Sequence, residues 1–254
     1  MSLIKRLTIS KKDEDVAASI SPSPYLCEED TTDYSGIVID KPWGYEYSIF
    51  KNGEVDVWLL HINYRYKTSM HCHPHKKTSL LMLSGESRFF TLSETSKLGV
   101  GDGFLIGKGV FHATEASSPP GIFVLEAETP VNKKNLMRLD DLYGRSGKRY
   151  EVGMAVRARN QSLLRCFYES KHHLQEKSIG NSMFTMCVCK DNDEFQALLV
   201  SSQMHHSLVL LQGVILNIEG NVLHVPADII SLDVLMQNSR IEKKIEALLV
   251  RECK

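Results

Sequence analysis

Three histidines carry the clearest chemical signal in the sequence. The run HCHPH contains His71 and His73, whose side chains point to the same face if this stretch is a β-strand. His75 would share that face only if the strand continued, and Pro74 argues against it. His112 in GKGVFHA is the candidate for a third ligand. Because neutral imidazole binds many divalent metals, the pattern predicts one ion, Zn, Fe, Mn or Ni, on His71, His73 and His112.

The surrounding sequence predicts β-strands that can position these histidines. From Gly36 onward, short runs rich in aromatic and β-branched residues alternate with turn residues, as in YEYSIF, VDVWLLHI, TSLLMLSG and GIFVLEAE. Such runs indicate an all-β sandwich or barrel. The first residues are polar and irregular, with a possible short helix near the start. Charged and turn-rich sequence follows the β-rich stretch and is typical of a connector.

A weak internal repeat suggests two tandem β modules. SLLMLSGESRFFTL in the first half is similar to SLVLLQGVILNIEG in the second, with a Gly turn at Gly85 and Gly213. The predicted boundaries are an arm over 1–35, a metal-binding domain over 36–150, a connector over 151–180 and a degenerate second module over 181–254.

Composition excludes several classes of partner. The chain has 254 residues, 43% of them hydrophobic and 24% charged, with a formal net charge of -1. No basic field favours nucleic acid, and no apolar run has the roughly 20 residues that span a bilayer. Without an apolar signal-peptide core near the start, the expected location is cytoplasmic. The six cysteines form no CxxC pair and are expected to be free thiols, with Cys187 and Cys189 packed on one face of a strand.

The histidine pattern resembles the cupin superfamily. Its first motif is a His-x-His pair followed by a Glu and a Gly, and its second is a spaced Gly, Pro, Gly and His. The matching residues here are His71, His73, Gly85, Gly101, Gly109 and His112. The resemblance implies a jelly-roll β-barrel of the cupin (RmlC-like) type that holds a metal ion, in two tandem modules with the second degenerate.

Two positions depart from the cupin pattern, since Gly107 stands at the usual Pro and Thr78 at the usual Glu. A hydroxyl is a poor metal ligand beside a carboxylate, so the site would have three histidines and open positions for water or substrate. Alternatively, Glu126 or Glu128 supplies a carboxylate. Three neutral ligands would leave the ion a stronger Lewis acid.

The second half of the chain lacks the ligand set. Leu199 and Ser201 stand at the His pair, and His206 stands at the Glu position. His205 and His206 are adjacent and would point to opposite faces of a strand, and His224 is a lone candidate. A second metal site is therefore not expected.

A narrower resemblance covers roughly residues 40–146. KPWGYEY, LSGE and LMRLDDLYGR together look like the cupin domain of bacterial mannose-6-phosphate isomerases. This resemblance implies a role in sugar-phosphate or nucleotide-sugar metabolism, often for surface polysaccharides, with a phosphorylated or nucleotide-linked sugar as substrate. Cupins commonly form homodimers, which is the expectation for the partner.

A phosphorylated substrate requires cations at the mouth of the barrel, where the arginine fork and the lysine ammonium both suit phosphate. Tyrosines could stack on the sugar. A base must also move a proton between adjacent carbons. The candidate bases are Glu128, ranked first, Lys76 and His75. The candidate substrate-binding residues are Lys77, Arg88, Tyr64, Arg138, Tyr143 and Arg145.

Three functions remain open at the level of sequence. The first is a metal-dependent isomerase or epimerase acting on a sugar phosphate or nucleotide sugar. The second is a three-histidine iron(II) dioxygenase, a ligand set that lacks the usual carboxylate of non-haem iron oxygenases. The third is a sugar-binding module without catalysis, with Thr78 marking the loss of activity.

Overall fold

The computed structural model describes residues 3–20, 29–140, 156–157, 176–179, 181–202 and 207–252. At the N-terminus, strand β1 (Ile4–Leu7) is followed by helix α1 (Lys11–Ser19). Strands β2 (Val38–Lys41) and β3 (Gly44–Lys51) then form a hairpin. Among the described residues, no helix combines the length and the apolar character needed to cross a membrane.

Eight strands form the first module. They are β4 (Asp56–Asn63), β5 (Met70–Cys72), β6 (Lys77–Ser84), β7 (Ser87–Thr91), β8 (Thr95–Leu98), β9 (Gly103–Ile106), β10 (His112–Ala116) and β11 (Gly121–Thr129). Two further strands, β12 (Met137–Asp140) and β13 (Val156–Arg157), follow them.

These strands build two facing sheets. The first major sheet has the order β1-β9-β6-β11-β4-β3-β2-β13, and the first minor sheet has the order β12-β5-β10-β7-β8. From β4 to β7, successive strands alternate between the sheets, and β8 to β11 return in the mirrored pattern. This exchange of strands between two sheets is the jelly-roll arrangement that cupins share. The predicted all-β cupin fold is confirmed by this strand order.

The second module repeats much of the strand order of the first, and it is built from the following strands and helices. They are β14 (Glu176–Ile179), β15 (Ser182–Cys189), α2 (Asn192–Ser201), β16 (Ser207–Gln212), β17 (Ile215–Asn217), β18 (Val222–His224), β19 (Ile229–Ser231), α3 (Leu232–Asn238), β20 (Ser239–Arg240) and β21 (Ile245–Glu252). The second major sheet has the order β14-β15-β21-β16-β19, and the second minor sheet has the order β18-β17-β20.

The two modules correspond strand by strand. The order β15-β21-β16-β19 corresponds to β4-β11-β6-β9, and β18-β17-β20 corresponds to β8-β7-β10. Helix α2 occupies the place in the chain that β5 has in the first module. The tandem fold predicted from the repeat is therefore present, although the domain boundaries themselves stay predictions.

Burial separates the two faces of the first major sheet. On β6, Leu80 and Met82 face the barrel interior, whereas Leu81 and Leu83 pack in a cluster that includes Phe184 from the second major sheet. This cluster is the interface between the modules. Alternate residues of β6 therefore belong to two different cores, as the period of two in a strand requires.

Candidate metal centre

The three predicted ligands meet inside the first barrel. His71 lies on β5, His73 directly follows it, and His112 opens β10, where it is the register partner of His71. Their ring centroids are 4.5 Å apart for His71 and His112, 5.0 Å for His71 and His73, and 5.7 Å for His73 and His112. One nitrogen from each ring lies within 4.8 Å of the other two.

Backbone carbonyls fix the orientation of all three imidazoles. The Nδ1 atom of His71 is 2.8 Å from the oxygen of Ser69, and that of His112 is 3.0 Å from the oxygen of Val110. The Nδ1 atom of His73 is 2.7 Å from the oxygen of Asn135. A carbonyl can only accept, so each Nδ1 donates and each Nε2 keeps its lone pair. A second hydrogen bond of this kind is what metal-ligating histidines make.

The chemistry of these donors fits a divalent metal ion. The Nε2 atom of His73 is buried and has no hydrogen-bond partner among the described residues. Burial lowers the pKa of all three imidazoles, to about 4 for His112. Neutral imidazole is the form that ligates a metal. When bound, such an ion would supply Lewis acidity at this point.

Two carboxylates lie beside the triad on β11. The Oε1 atom of Glu126 is 3.9 Å from Nε2 of His73, and Glu128 lies one alternate position further along the same face. His73, Glu126 and Glu128 also form a cluster with metal-ligand spacing. On sequence alone it was left open that Glu126 or Glu128 supplies a carboxylate ligand, and both lie close enough to His73 for this alternative.

Two lysines form ion pairs with Glu128, whereas burial has the largest effect on the pKa of Glu126. The Oε1 atom of Glu128 is 2.7 Å from Nζ of Lys76 and 3.4 Å from Nζ of Lys133. Burial opposes ionisation of Glu128, but these two ammonium groups outweigh it and hold the pKa well below its usual range. For Glu126, burial dominates and raises the pKa well above its usual range.

Thr78 lies next to this network without taking part in it. It is buried on β6, and its cross-strand neighbours are Glu128 and Ile106. Its Oγ1 has no hydrogen-bond partner among the described residues. Glu128 on the neighbouring strand lies directly opposite Thr78.

A cavity of 60 Å³ opens beside the triad, and half of its lining residues are charged. Arg138 on β12 lines it from the register position beside His71, and its assignment as a substrate-binding cation stays a prediction. Lys76 lines it as well, and its side chain is 1% exposed. Sequence reasoning missed the remaining polar lining residues, which are Lys41, Glu46, Thr68, Ser69 and Lys133. Lys41 and Glu46 form an ion pair at 3.5 Å, and their unlike charges on a hairpin were the available signal.

Other predicted site residues lie away from the triad. The Lys77 ammonium points out of the barrel, 2.8 Å from Oδ1 of Asp228 in the second module. This placement corrects its assignment to the substrate, because Lys77, the first residue of β6, points away from the cavity that Lys76 lines. His75 is exposed in the turn after His73 and does not line the cavity, so its assignment as a base is corrected too.

Arg88 and Tyr64 also need correction. Arg88 faces outward on β7, where it pairs with Glu115, because the adjacent Phe89 takes the inward position. Arg88 and Tyr64 line a separate groove of 620 Å³ outside the barrel. Tyr143 and Arg145 lie outside the described residues.

Among its described residues, the second barrel has an apolar interior and no cluster with metal-ligand spacing. Leu199 and Ser201 lie in α2, not in a strand, and Leu199 packs in the core with Phe195. The Nδ1 atom of His224 is 3.4 Å from Asp228. His205 and His206 lie outside the described residues. Cys187 and Cys189 are buried in this core as free thiols, like Cys72 in the first module, whereas Cys27, Cys166 and Cys253 are not described.

Comparison with known proteins gives fold-level similarity. No protein-family model and no curated protein matches the chain. KdgF from Halomonas sp. is similar at 16% identity and a TM-score of 0.35, over 41% of this chain and 91% of that one. A protein with a double-stranded β-helix domain from Klebsiella pneumoniae is similar at 18% identity and a TM-score of 0.36, over 44% and 100%.

A sugar phosphate isomerase from a cupin superfamily, from Silicibacter pomeroyi, is similar at 15% identity and a TM-score of 0.30. The match covers 31% of this chain and 52% of that one. At these low TM-scores, the fold assignment rests on the strand order of the chain itself. That order and the histidine triad define a cupin barrel with a His/Glu cluster.

Proposed function

We propose that this protein is a metal-dependent enzyme that isomerises or epimerises a sugar phosphate or nucleotide sugar. The observation that carries the proposal is the position of Lys76 and Arg138, which line one cavity with His71 and His73. Imidazoles at such spacing suit a divalent cation, and lysine and arginine suit a phosphate or another anionic group of the substrate.

Different side chains of the cavity would bind the substrate and transfer the proton in the proposed reaction. Arg138 and Lys76 bind and orient the anionic group. Glu126 is the carboxylate nearest the triad, and Lys76 and Lys133 hold Glu128. Once ionised, which a cation on the neighbouring imidazoles would favour, Glu126 is therefore the better candidate to remove the proton from the carbon beside the carbonyl group and return it to the neighbouring carbon. Glu128, ranked first on sequence alone, positions Lys76.

A metal-binding experiment tests the first half of the proposal. We expect about one equivalent of metal in the wild-type protein after reconstitution with Zn²⁺, Mn²⁺, Fe²⁺ or Ni²⁺, and none in His71→Ala or His112→Ala. His75→Ala is the matched control, because His75 is an exposed neighbour of the triad, and it should bind like wild type. Equal metal content in all four proteins would disprove the three-histidine centre.

An exchange experiment tests the second half. With a panel of sugar phosphates and nucleotide sugars in D₂O, an isomerase or epimerase incorporates solvent deuterium at carbon. Glu126→Gln should lower the rate by about 100-fold or more, the usual size of a general acid–base contribution, while retaining metal. Binding of a sugar phosphate without exchange under any of these metals would favour the non-catalytic binding module.

A second candidate is favoured by one observation. His71, His73 and His112 form one cluster with metal-ligand spacing that contains no carboxylate, and Thr78 stands at the position of the usual Glu. A three-histidine iron(II) dioxygenase has this ligand set. Oxygen consumption with iron, and no deuterium incorporation, would support it over the isomerase.

A further inference from the structure

The N-terminal helix packs directly behind the strands that carry the three histidines. Cys72 lies between His71 and His73 in the chain, and its side chain points to the opposite face of β5. Phe111 immediately precedes His112. Both side chains are fully buried in a small cluster that also contains Val16, Ala17 and Ile20 from α1 and its C-cap.

One buried carboxylate fastens the helix to the ligand strand. Asp13 is 4% exposed, and its Oδ1 accepts a hydrogen bond of 3.0 Å from the backbone nitrogen of Phe111. Its Oδ2 accepts from the nitrogen of Ser10 at 2.9 Å, which completes a capping box at the start of α1. The same side chain therefore holds the helix N-terminus and the peptide next to His112.

The preceding strand follows the same path. β1 pairs in parallel with β9, with Leu7 opposite Ile106, and the Leu7 oxygen accepts from the nitrogen of Gly107 at 2.9 Å. Ile9 then packs on Gly109, where a Cβ atom would come within 2.7 Å of its Cδ1. The segment from Ile4 to Ile9 thus packs alongside the chain from β9 to Gly109, just before His112.

We propose that Asp13 is a positioning residue for the metal centre, acting through the Phe111 backbone on His112. This inference rests on the proposed metal centre. Phe111 and Val110 precede His112, and the Val110 oxygen accepts from its Nδ1. A shift of this peptide therefore moves both the His112 backbone and the carbonyl that orients the imidazole. Outer partners of this kind typically change metal affinity by about 10- to 100-fold.

Cobalt(II) titration of the full chain tests the proposal, with the visible absorption bands as a signature of ligand geometry. We expect Asp13→Ala to bind cobalt about 10- to 100-fold more weakly than wild type and with altered bands. Asp13→Ser, whose side chain is too short to reach Phe111, should behave in the same way and replaces the alanine variant if that fails to fold. Asp13→Asn keeps a carbonyl oxygen for the Phe111 nitrogen but places an amide donor opposite the Ser10 nitrogen, so it should bind cobalt more tightly than Asp13→Ala and with bands closer to those of wild type.

Asp102→Ala is the matched control. Asp102 accepts from the nitrogen of Leu3 at 2.8 Å, so it also fastens the N-terminal segment, but ahead of β1 and away from the ligand strands. It should bind cobalt like wild type. Wild-type affinity and bands in both Asp13→Ala and Asp13→Ser would overturn the role of Asp13 alone. Failure of the wild-type protein to bind cobalt would overturn the metal centre as well.

Discussion

His71, His73 and His112 differ in how much of their arrangement is visible in the sequence. The alternation of HCH on a strand predicts two imidazoles on one face, and the second cupin-like motif predicts His112. The three carbonyls that orient the rings belong to Ser69, Val110 and Asn135. Backbone acceptors have no residue-type signature, so these contacts could not be predicted.

Thr78 is expected to be dispensable for metal binding, because a neutral hydroxyl is a poor metal ligand beside imidazole and carboxylate groups. Thr78→Val keeps the shape and removes an unsatisfied polar atom, which is close to neutral or stabilising by about 1 kcal/mol. Metal content and a chemical denaturation curve measure the two effects. Loss of metal in Thr78→Val would show that the hydroxyl is a ligand after all.

Asp56 gives a pH-dependent prediction. It is buried in the first module beside Ser48, and burial, followed by the nearby Glu128, raises its pKa to about 6. The folded protein therefore holds a proton that the unfolded chain releases near pH 4. Stability is lost as pH rises from about 4 to about 6, by about 3 kcal/mol in total.

Asp56→Asn removes this dependence while keeping an acceptor for the Ser48 hydroxyl. Its free energy of unfolding, relative to wild type, should increase by about 3 kcal/mol between pH 4 and pH 7. Urea denaturation at a series of pH values measures the difference. A difference that stays constant with pH would contradict the assignment.

At the scale of elements, the strands were predictable where their residues alternate, and the exceptions have a physical cause. α2 replaces a strand in the second module because Phe195 and Leu199, four residues apart, fill the barrel interior from one helix face. Asp191 caps this helix by accepting from the nitrogen of Glu194 at 2.9 Å. On sequence alone, Leu199 and Ser201 were aligned with the strand residues His71 and His73, and this helix was not predicted.

The two equivalent glycine turns give a prediction about elements. Gly85 joins β6 to β7, and Gly213 joins β16 to β17, with φ angles of +74° and +85°. A Cβ atom would lie 2.6 Å from Oγ of Ser118 at the first turn and 2.7 Å from the oxygen of Lys244 at the second.

Gly85→Ala and Gly213→Ala should each destabilise the protein by about 1–3 kcal/mol, the usual cost of a strained backbone position. Thermal unfolding measures the loss. Gly53→Ala is the matched control, since a Cβ atom there meets nothing within 4 Å. If Gly53→Ala is as harmful as the other two, the turn geometry is not the cause.

At the scale of the molecule, one core crosses the boundary between the modules. It contains Leu59 and Leu81 from the first major sheet and Phe184, Val209 and Leu248 from the second. Sequence periodicity showed that each strand had a buried face. It did not show that the outer face of one barrel is covered by the outer face of the other. The homodimer expected from the cupin resemblance stays a prediction.

A shared core predicts one cooperative unfolding transition. Both tryptophans, Trp43 and Trp58, are buried in the first module, so their fluorescence reports on that module. Phe184→Ala, a change at a fully buried residue of the second module, should cost about 3–5 kcal/mol. We expect the unfolding midpoints measured by fluorescence and by far-UV circular dichroism to decrease by the same amount.

Val200→Ala is the control, because Val200 is 66% exposed on α2. It should leave both transitions unchanged. A shift of the circular dichroism curve without a shift in fluorescence would mean that the modules unfold independently.

Lys76, which directly precedes β6, and Lys77, its first residue, connect the site in the first module to the second module. Lys76 binds Glu128 inside the barrel, and Lys77 binds Asp228 across the module boundary. A change of charge around Lys76 therefore acts next to Lys77. Lys77 is bound to Asp228, which does not line the cavity. By reciprocity, any such coupling free energy is the same in both directions. Hydrogen exchange at the amides around Asp228, measured with and without metal, therefore tests whether binding in the first barrel is coupled to the second module.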